Sequence, residues 1–539
     1  MADGSSGKET QNNDIHSYIS RMRHSLRSAV SQCNERGLVM SAKWAAEQLL
    51  GFSAPSPKSQ PSNDLTPASA GRTSTSGEAD TGQPNQNVTF LNLSSAESMP
   101  AIPKVGYEED LYLYAKACFD AREFPHAAEV LQHCTARRSV FLRLYSKLMA
   151  AESSQPIESF DSPQDTPSPE TRRILIQIEH ELTMGIKEGE LDGFLWYLIG
   201  ITVKKLGKRE LGIQYLTKAV QKYPYNWSAW VELASCMHMK EDLESVLGNL
   251  QRDFMTGCFE VYVENVMEYQ METDTNVVDA LLALCPQSRF LKIQRAILYY
   301  NARNMEPAEL VFEELLSKDQ CMIEGMGIYS NVLFLRGKKR ELMSLAHRVD
   351  STYKYRPESA VVLGNYHSLK SDRSKAIKSF ERALKLDRNY ADAWTLLGHE
   401  YVELNNAAPA IQIYRRAVDL NCRDYRAWYG LGQAYDLLNL PMFSLNYYQR
   451  ALTIRPRDGR MWNVLSMTFE KLNKIPEAIK CGLHMLLSDE YSTPITLRKM
   501  SKLYMKLHAQ TGNAKHQDKA VLYENRATHA HEMILEVSL

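Results

Sequence analysis

The sequence predicts an all-α protein, a right-handed superhelical solenoid of helical hairpins with disordered linkers. Three observations predict this class. Apolar residues recur at helical spacing over most of the 539 residues. One set of residue types returns every 34 residues, as in a repeat protein. Two long segments are rich in serine, proline and threonine and poor in large apolar side chains, which indicates disorder.

The N-terminal third of the chain alternates between polar and helical segments. Residues 1–13 are polar and predicted to be disordered, and residues 14–52 are predicted to form a helical hairpin that turns near Gly37. A single hairpin cannot cover its own apolar face, so we expect it to dock on another surface. Residues 53–106 form a Ser/Pro/Thr-rich linker whose composition predicts disorder.

Three further segments precede the clearest repeats. Residues 107–151 are assigned to N-terminal repeats, with a weak copy of the repeat from residue 108. Residues 152–170 form an acidic loop with several prolines. Residues 171–288 are assigned to middle repeats, in which a stronger copy begins at residue 193.

The repeat is clearest in the copies that begin at residues 391 and 425. Both place tryptophan, leucine, glycine and tyrosine at positions 4, 7, 8 and 11, and a small residue, an aromatic residue and alanine at positions 20, 24 and 27. The matching residues are Trp394, Leu397, Gly398, Tyr401, Ala410, Tyr414 and Ala417, then Trp428, Leu431, Gly432, Tyr435, Ser444, Tyr448 and Ala451. This is the tetratricopeptide signature.

The same register extends to copies that begin at residues 289, 323, 357 and 459. Residues 289–492 are therefore assigned to C-terminal repeats with a peptide groove, and residues 493–539 to a helical cap and tail. Small residues at positions 8, 20 and 27 mark close approach of helices, and bulky residues fill the gaps. Recurrence at a fixed period favours core packing over a ligand box for the aromatic residues.

Charge and composition exclude several function classes. The net charge of −1 argues against nucleic acid as the main ligand, because duplex binding needs a concentrated basic surface. The nine cysteines are scattered without a CxxC pair, which favours reduced thiols in the nucleus and cytoplasm. No apolar run is long enough to span a membrane.

Motifs of catalysis and metal binding are missing from the sequence. It contains no phosphate-binding GxxxxGK loop, no GxSxG elbow and no HExxH helix. The repeats also occupy nearly all the length that we predict to be ordered. We therefore expect no enzyme activity, no cofactor and no metal.

The concave face of such an array is lined mainly by repeat positions 2, 5, 9 and 12. In the best copies these positions carry acidic, amide and aromatic groups, which suit an extended peptide that contains arginine. A solvated polar face is the alternative for any single residue. Geometry selects Tyr366, His399, Tyr429 and Gln433 as candidate peptide-binding residues.

Several stretches carry a resemblance to a known family. Residues 355–359, 364–366, 393–401 and 423–432, with 36–38 and 41–47 near the N-terminus, resemble subunit 8 of the anaphase-promoting complex, the cell division cycle 23 family. The resemblance covers nearly the whole chain apart from the two linkers.

The resemblance implies a nuclear and cytoplasmic scaffold subunit of a cullin-RING ubiquitin ligase that controls mitotic progression. It implies a homodimer formed through the N-terminal repeats, contacts with other subunits of the complex, and a C-terminal groove that holds the arginine-containing box of WD40 coactivators. Carried over by motif, the groove amide and carboxylate are Asn365 and Glu400.

Two other functions stay open from the sequence, a tetratricopeptide co-chaperone adaptor that binds chaperone C-terminal peptides and a regulatory subunit of another enzyme. The cationic clamp of the co-chaperones is missing at the groove positions, which argues against the first. Serine or threonine precedes proline in the acidic loop, so we predict phosphorylation at Ser162, Thr166 and Ser168.

Overall fold

A computed structural model of the chain describes residues 6–51, 104–154, 168–187, 191–237, 240–267, 275–487 and 494–538. Within these ranges the regular elements are 26 α-helices, and no strand is present. The predicted all-α class is therefore confirmed. The predicted linkers at 53–106 and 152–170 lie mostly outside the described residues, and their described ends at 104–106, 152–153 and 169–170 belong to helices, so the linker bounds were predicted too wide.

The chain divides into two compact units. The described residues of the first unit, which ends at Asn226, contain eight helices. They are α1 (Ser6–Glu35), α2 (Val39–Gly51), α3 (Lys104–Asp120), α4 (Phe124–Val130), α5 (Arg137–Ser153), α6 (Pro169–Lys187), α7 (Gly193–Lys205) and α8 (Arg209–Lys222).

The first of these helices corrects one boundary. Helix α1 begins at Ser6, whereas the sequence predicted disorder as far as residue 13. Lysine, glutamate and glutamine in this segment have good helix propensity, so the helix continues beyond its apolar stripe. Helices α1 and α2 contact each other over the segment of the predicted hairpin, and the turn contains Gly37 at φ +75°.

The described part of the second unit begins at Trp227 and contains the other helices of the described chain. They are α9 (Trp227–Cys236), α10 (Lys240–Gly248), α11 (Phe254–Met267), α12 (Asn276–Leu284), α13 (Arg289–Asn301), α14 (Met305–Lys318), α15 (Met326–Leu335), α16 (Lys339–Thr352), α17 (Pro357–Leu369), α18 (Arg373–Leu386), α19 (Ala391–Glu403), α20 (Ala407–Leu420), α21 (Tyr425–Leu437), α22 (Pro441–Ile454), α23 (Gly459–Lys471), α24 (Ile475–Leu486), α25 (Pro494–Thr511) and α26 (Ala514–Ser538).

From α13 onward the helices form consecutive hairpins. The two helices of each hairpin contact each other, and in some hairpins the first helix also contacts the first helix of the next hairpin, as α15 contacts α17 and α19 contacts α21. Five of the six predicted starting points coincide with the first residue of a helix. The exception is α15, which begins at Met326 and not at residue 323. Gly325 precedes it in the left-handed conformation at φ +76°, which delays the helix start.

The turn inside each hairpin repeats with the same backbone geometry. Six residues with φ between 56° and 68° lie 34 positions apart along the chain. They are Arg303, Gly337, Ser371, Asn405, Asn439 and Asn473. The turn ends the first helix in the pattern of a Schellman motif, as where the Asn406 N–H donates to the Tyr401 carbonyl at 2.9 Å. This position, number 15, was not included in the predicted signature.

The predicted close approach at position 8 is present. A Cβ on Gly398 would lie 2.5 Å from Cε1 of Tyr414, and a Cβ on Gly432 would lie 2.3 Å from Cε1 of Tyr448. Both rings at position 24 are fully buried. The glycine lets one helix approach the ring of its partner helix, so the aromatic residues of the signature belong to the core. Among the described helices, none is long and apolar enough to cross a membrane.

Candidate peptide-binding groove

A cavity of about 430 Å³ opens within the second unit. Residues from five hairpins line it, those of the copies that begin at 289, 323, 391, 425 and 459. They are Tyr300, Asn301, Arg303, Met305, Leu335, His399, Tyr425, Arg426, Tyr429, Arg455, Arg460 and Met461. All four repeat positions that the sequence assigned to the concave face are represented: position 2 by Arg426 and Arg460, position 5 by Tyr429, position 9 by His399 and position 12 by Tyr300.

Arg426 is held at the cavity by two carboxylates. Asp424 is 2% exposed and accepts hydrogen bonds from the Arg426 Nε at 2.8 Å and from the Arg426 backbone N–H at 2.9 Å, which caps α21. Thr395 donates to the same carboxylate at 2.9 Å, and Asp392 of the previous repeat accepts from Arg426 at 2.7 Å. Burial alone would raise the pKa of Asp424, but Arg426 and Thr395 lower it overall, so the carboxylate stays charged.

Asp458 has the equivalent role in the next repeat. It is 2% exposed, caps α23, and accepts from Arg460 at 3.1 Å. It also accepts from Arg303 at 2.5 Å, although these two residues are 155 positions apart. Arg303 is the left-handed residue of the turn between α13 and α14. The ion pair therefore joins the first of the six C-terminal copies to the N-cap of α23, the first helix of the last copy, beside the cavity that Arg303 lines.

His399 presents a neutral ring to the cavity. Burial, followed by the positive charge of Arg426, lowers the pKa of His399 to about 4, against the opposite influence of Asp424. Its Nδ1 lies 2.6 Å from the hydroxyl of Tyr414. Burial also raises the pKa of Tyr414 well above its ordinary value, so the phenol keeps its proton and can donate to a neutral imidazole.

Further aromatic rings and guanidinium groups line the cavity, beside Met305, Leu335 and Met461. The Arg455 guanidinium lies 4.2 Å from the ring centroid of Tyr425, and the rings of Tyr429 and Tyr448 are 5.6 Å apart. Among the residues that the structure describes, no carboxylate lines the cavity, which differs from the acidic lining that the sequence suggested. The acids are present, but neighbouring arginines bind them, as in the pairs of Asp424 with Arg426 and Asp458 with Arg460.

Asn365 lies outside the lining of the cavity. It is 2% exposed, and its amide Nδ2 donates to Ser330 at 2.8 Å and to Asn331 at 2.7 Å. These contacts join α17 to α15. The Asn365 side chain therefore fixes one first helix against the preceding one.

Glu400 is similarly engaged inside the chain. It is 4% exposed, accepts from Ser368 at 2.6 Å, and forms an ion pair with Arg373 at 3.1 Å. Arg373 also contacts the exposed carboxylate of Glu403 at 3.2 Å. The carboxylate that the family resemblance selected thus already has a guanidinium partner from α18.

The other sequence candidates divide between the cavity and its surroundings. His399 and Tyr429 lie together in the lining. Tyr366 and Gln433 are half-buried outside it, and Tyr366 packs against the core of the preceding repeats. Sequence reasoning missed Arg303, because position 15 belongs to a turn and not to the face of a helix.

Ser168 is the one described residue among the three phosphorylation candidates, since Ser162 and Thr166 lie outside the described residues. It directly precedes α6. The Ser168 Oγ accepts from the Thr171 N–H at 3.2 Å and lies 2.9 Å from the Thr171 hydroxyl. Ser168 is therefore the N-cap of α6, with Pro169 as the first helical residue.

One group of side chains in the described part of the chain has the chemistry of metal ligands. Cys118, Glu123 and His126 lie around the turn between α3 and α4, with one ligand atom of each within 4.8 Å of the others. Glu123 and His126 are exposed and contact each other at 3.5 Å. That polar contact accounts for their approach without an ion.

Comparison with protein families gives two matches. A family profile described as anaphase promoting complex subunit 8 / Cdc23 matches residues 21–296. A tetratricopeptide repeat profile matches residues 357–390 and 391–421, which confirms the predicted repeat type and its register there.

Curated proteins with similar sequences carry related names. The chain is 37% identical over 396 residues to anaphase-promoting complex subunit 8 of Arabidopsis thaliana, covering 71% of this chain and 66% of that protein. It is 30% identical to anaphase-promoting complex subunit CDC23 of Saccharomyces cerevisiae, covering 74% and 71%. With the human cell division cycle protein 23 homolog the identity is 34%, over 58% of this chain and 47% of that protein.

A solved structure shares the fold. The crystal structure of the APC/C hetero-tetramer Cut9-Hcn1 matches with a TM-score of 0.50 at 15% identity, covering 79% of this chain and 87% of that chain. At this identity the match supports the architecture alone.

Proposed function

This chain belongs to the anaphase promoting complex subunit 8 / Cdc23 family, and from that membership we propose that it is a non-catalytic scaffold subunit of the anaphase-promoting complex. In this role it joins the other subunits of a cullin-RING E3 ubiquitin ligase that controls mitotic progression. The strongest support for the proposal is that helices of the described chain form consecutive hairpins. Stacked hairpins present extended surfaces to which partner proteins can bind. We expect the subunit in the nucleus and cytoplasm.

We further propose that the C-terminal groove holds the arginine-containing box of a WD40 coactivator. The cavity is walled by Tyr425, Tyr429 and the neutral ring of His399, and such a wall suits an apolar side chain of an extended peptide. The cationic lining disfavours a ligand arginine inside the cavity. We place that arginine beside Glu400 and the exposed carboxylate of Glu403, next to His399 on α19.

In this arrangement the six candidate residues have two kinds of role. Tyr429 and His399 contact the peptide, and Tyr366 and Gln433 lie along its path. Asn365 and Glu400 form hydrogen bonds that connect the first helix of one repeat to that of the preceding repeat. The Glu400 carboxylate would also pair with the ligand arginine while it keeps its ion pair with Arg373. Reversing the charge of Glu400 would place a cation against Arg373 in a buried position, so the isosteric Glu400→Gln is the informative variant.

Peptide binding to the full chain tests this assignment. A labelled coactivator peptide that contains the arginine is titrated and followed by fluorescence anisotropy. We expect Tyr429→Ala and Glu400→Gln each to weaken binding about tenfold, since each loses one desolvated contact. Tyr355→Ala, a matched change at a side chain that is 78% exposed, should bind like the wild type. Equal affinities for all four proteins would reject the groove assignment.

We also propose that the chain forms a homodimer through its N-terminal repeats. Several apolar side chains of the first unit are exposed, including Val39 at 61%, Met40 at 68% and Leu113 at 58%. We infer that these exposed side chains belong to an interaction surface. Light scattering should give twice the 61.5 kDa chain mass for the wild type and a lower mass for Met40→Glu. Met343→Glu, the same change at a residue 51% exposed in the second unit, serves as the control.

A dimer that survives Met40→Glu would place the interface elsewhere, and a monomeric wild type would reject the proposal.

We keep Ser162, Thr166 and Ser168 as proposed phosphorylation sites. At Ser168 a phosphate would lie at the N-terminus of α6, where the helix dipole favours negative charge. Phosphopeptide mapping from mitotic cells tests all three.

A further inference from the structure

Helix α25 carries four cations on one side. Arg498, Lys499, Lys502 and Lys506 follow one another at helical spacing, so they share a face of the helix. Together with Ile495 and Glu470 of α23 they enclose a cleft of about 350 Å³. The lining of the cleft therefore contains four positive side chains and a single carboxylate. We call this site the α25 cleft.

Two of the four positive charges have a carboxylate partner. Lys506 pairs with Glu470 at 2.5 Å, and Arg498 reaches Glu524 of α26 at 3.9 Å. Both pairs are partly exposed to solvent, where such contacts contribute little. Against these two carboxylates the four cations leave an excess of two positive charges at the cleft.

The other two cations are not neutralised in the described residues. Lys499 donates to the neutral amide Oδ1 of Asn463 at 2.7 Å, and burial lowers its pKa while Glu470 opposes that change. Lys502 is exposed and has no ion pair within the described ranges. A half-buried ammonium beside an unpaired lysine is costly unless an anion is supplied from outside.

The cleft also faces the groove. Asn463 and Glu470 occupy positions 5 and 12 of the copy that begins at residue 459, which are concave-face positions. The α25 cleft shares no residue with the cavity around Tyr429. It is thus a second site on the same side of the array.

We propose that the α25 cleft binds an acidic segment of a partner polypeptide. Carboxylates of the segment would pair with Lys499 and Lys502, and an apolar side chain would cover Ile495, which is 78% exposed. Charge complementarity selects an acidic ligand. The confinement of the cations to one face of a single helix favours a narrow extended chain over a nucleic-acid duplex, whose phosphates need a longer basic surface. This inference goes beyond the coactivator proposal and does not depend on it.

The test uses the full chain and a fluorescein-labelled peptide of alternating glutamate and alanine. We expect the wild type to bind this peptide but not a lysine–alanine peptide of the same length, and to bind it more weakly as salt is raised. Lys502→Glu should weaken binding about tenfold, through loss of one attraction and gain of one repulsion. Lys480→Glu, the same change at an exposed lysine of α24 outside the cleft, should leave affinity within about twofold of the wild type.

Circular dichroism establishes that the variants are folded. If charge reversal at Lys502 unfolds helices α25 and α26, Lys502→Ala replaces Lys502→Glu. Equal effects of the changes at Lys502 and Lys480 would overturn the proposal, as would failure of the wild type to bind the acidic peptide. Tighter binding of a single-stranded oligonucleotide with the same dependence on Lys502 would also overturn it, in favour of a nucleic-acid site. None of these outcomes alters the result expected for Tyr429→Ala.

Discussion

At the scale of single residues, the tetratricopeptide signature predicted packing better than it predicted chemistry. The signature predicted close helix approach at Gly398 and a bulky gap-filling side chain at Tyr414, and the structure places these two residues in contact. The groove charges were harder to predict. Because Arg426 and Asp392 occupy the same repeat position, they are predicted to face the same side. The repeat position does not predict that these two side chains form an ion pair between adjacent repeats. Such pairing depends on side-chain distances between hairpins, which a one-dimensional register does not contain.

The close approach at Gly398 gives a direct stability prediction. In Gly398→Ala the new Cβ would lie 2.5 Å from a fully buried ring that is also hydrogen-bonded to His399, so the ring has little room to move. We expect a loss of about 1–3 kcal/mol, seen as a lower thermal unfolding midpoint by circular dichroism. Gly248→Ala is the control, because nothing lies within 4 Å of its Cβ position. An unchanged midpoint for Gly398→Ala would contradict the packing.

The lowered pKa of His399 predicts that the stability of the chain depends on pH. Its pKa is about 4 in the folded chain and 6.5 ordinarily, so in this range the unfolded chain binds the proton more tightly. The stability contributed by the neutral ring is present above about pH 6.5 and is lost as the pH falls towards about 4. Acidification from about pH 7 to about pH 5 should therefore cost the wild type roughly 2 kcal/mol more than it costs His399→Gln.

Denaturant unfolding at the two pH values measures this difference. His347→Gln, the same substitution at an exposed histidine of α16, is the matched control. An equal loss in His399→Gln and the wild type would show that the ring is not held neutral by its surroundings.

At the scale of elements, helix starts were predictable because the apolar spacing and the period agree. Deviations arose where backbone conformation overrides the pattern, as at Gly325 before α15. The recurring left-handed turn was missed, although asparagine at residues 405, 439 and 473 is a sequence signal for it. The same backbone conformation therefore recurs at six turns of the second unit.

The turn predicts a contrast between two substitutions at one position. Asn439 is exposed at φ 56°, so its side chain adds little packing. Asn439→Val should lower stability by about 1–2 kcal/mol, because a β-branched residue resists the left-handed conformation. Asn439→Gly adopts it freely and should lie within about 0.5 kcal/mol of the wild type. Thermal unfolding followed by circular dichroism distinguishes them, and equal losses would point to the side chain instead of the backbone.

At the scale of the whole molecule, the repeat register and the family motifs predicted an interaction protein, and the comparisons agree on the family. The sequence could not predict where ligands meet the groove. The Arg303–Asp458 pair joins residues 155 positions apart, and the α25 cleft depends on the packing of α25 against α23. Both sites are products of stacking, so they appear only when the hairpins are assembled.

The most direct measurement is affinity purification of the tagged full chain from its own cells, followed by mass spectrometry of the proteins that elute with it. We predict recovery of the cullin and RING subunits of the anaphase-promoting complex together with other repeat subunits, in amounts comparable to the tagged chain. Recovery of the chain alone, or with chaperones and none of these subunits, would contradict its assignment as a scaffold of that ligase.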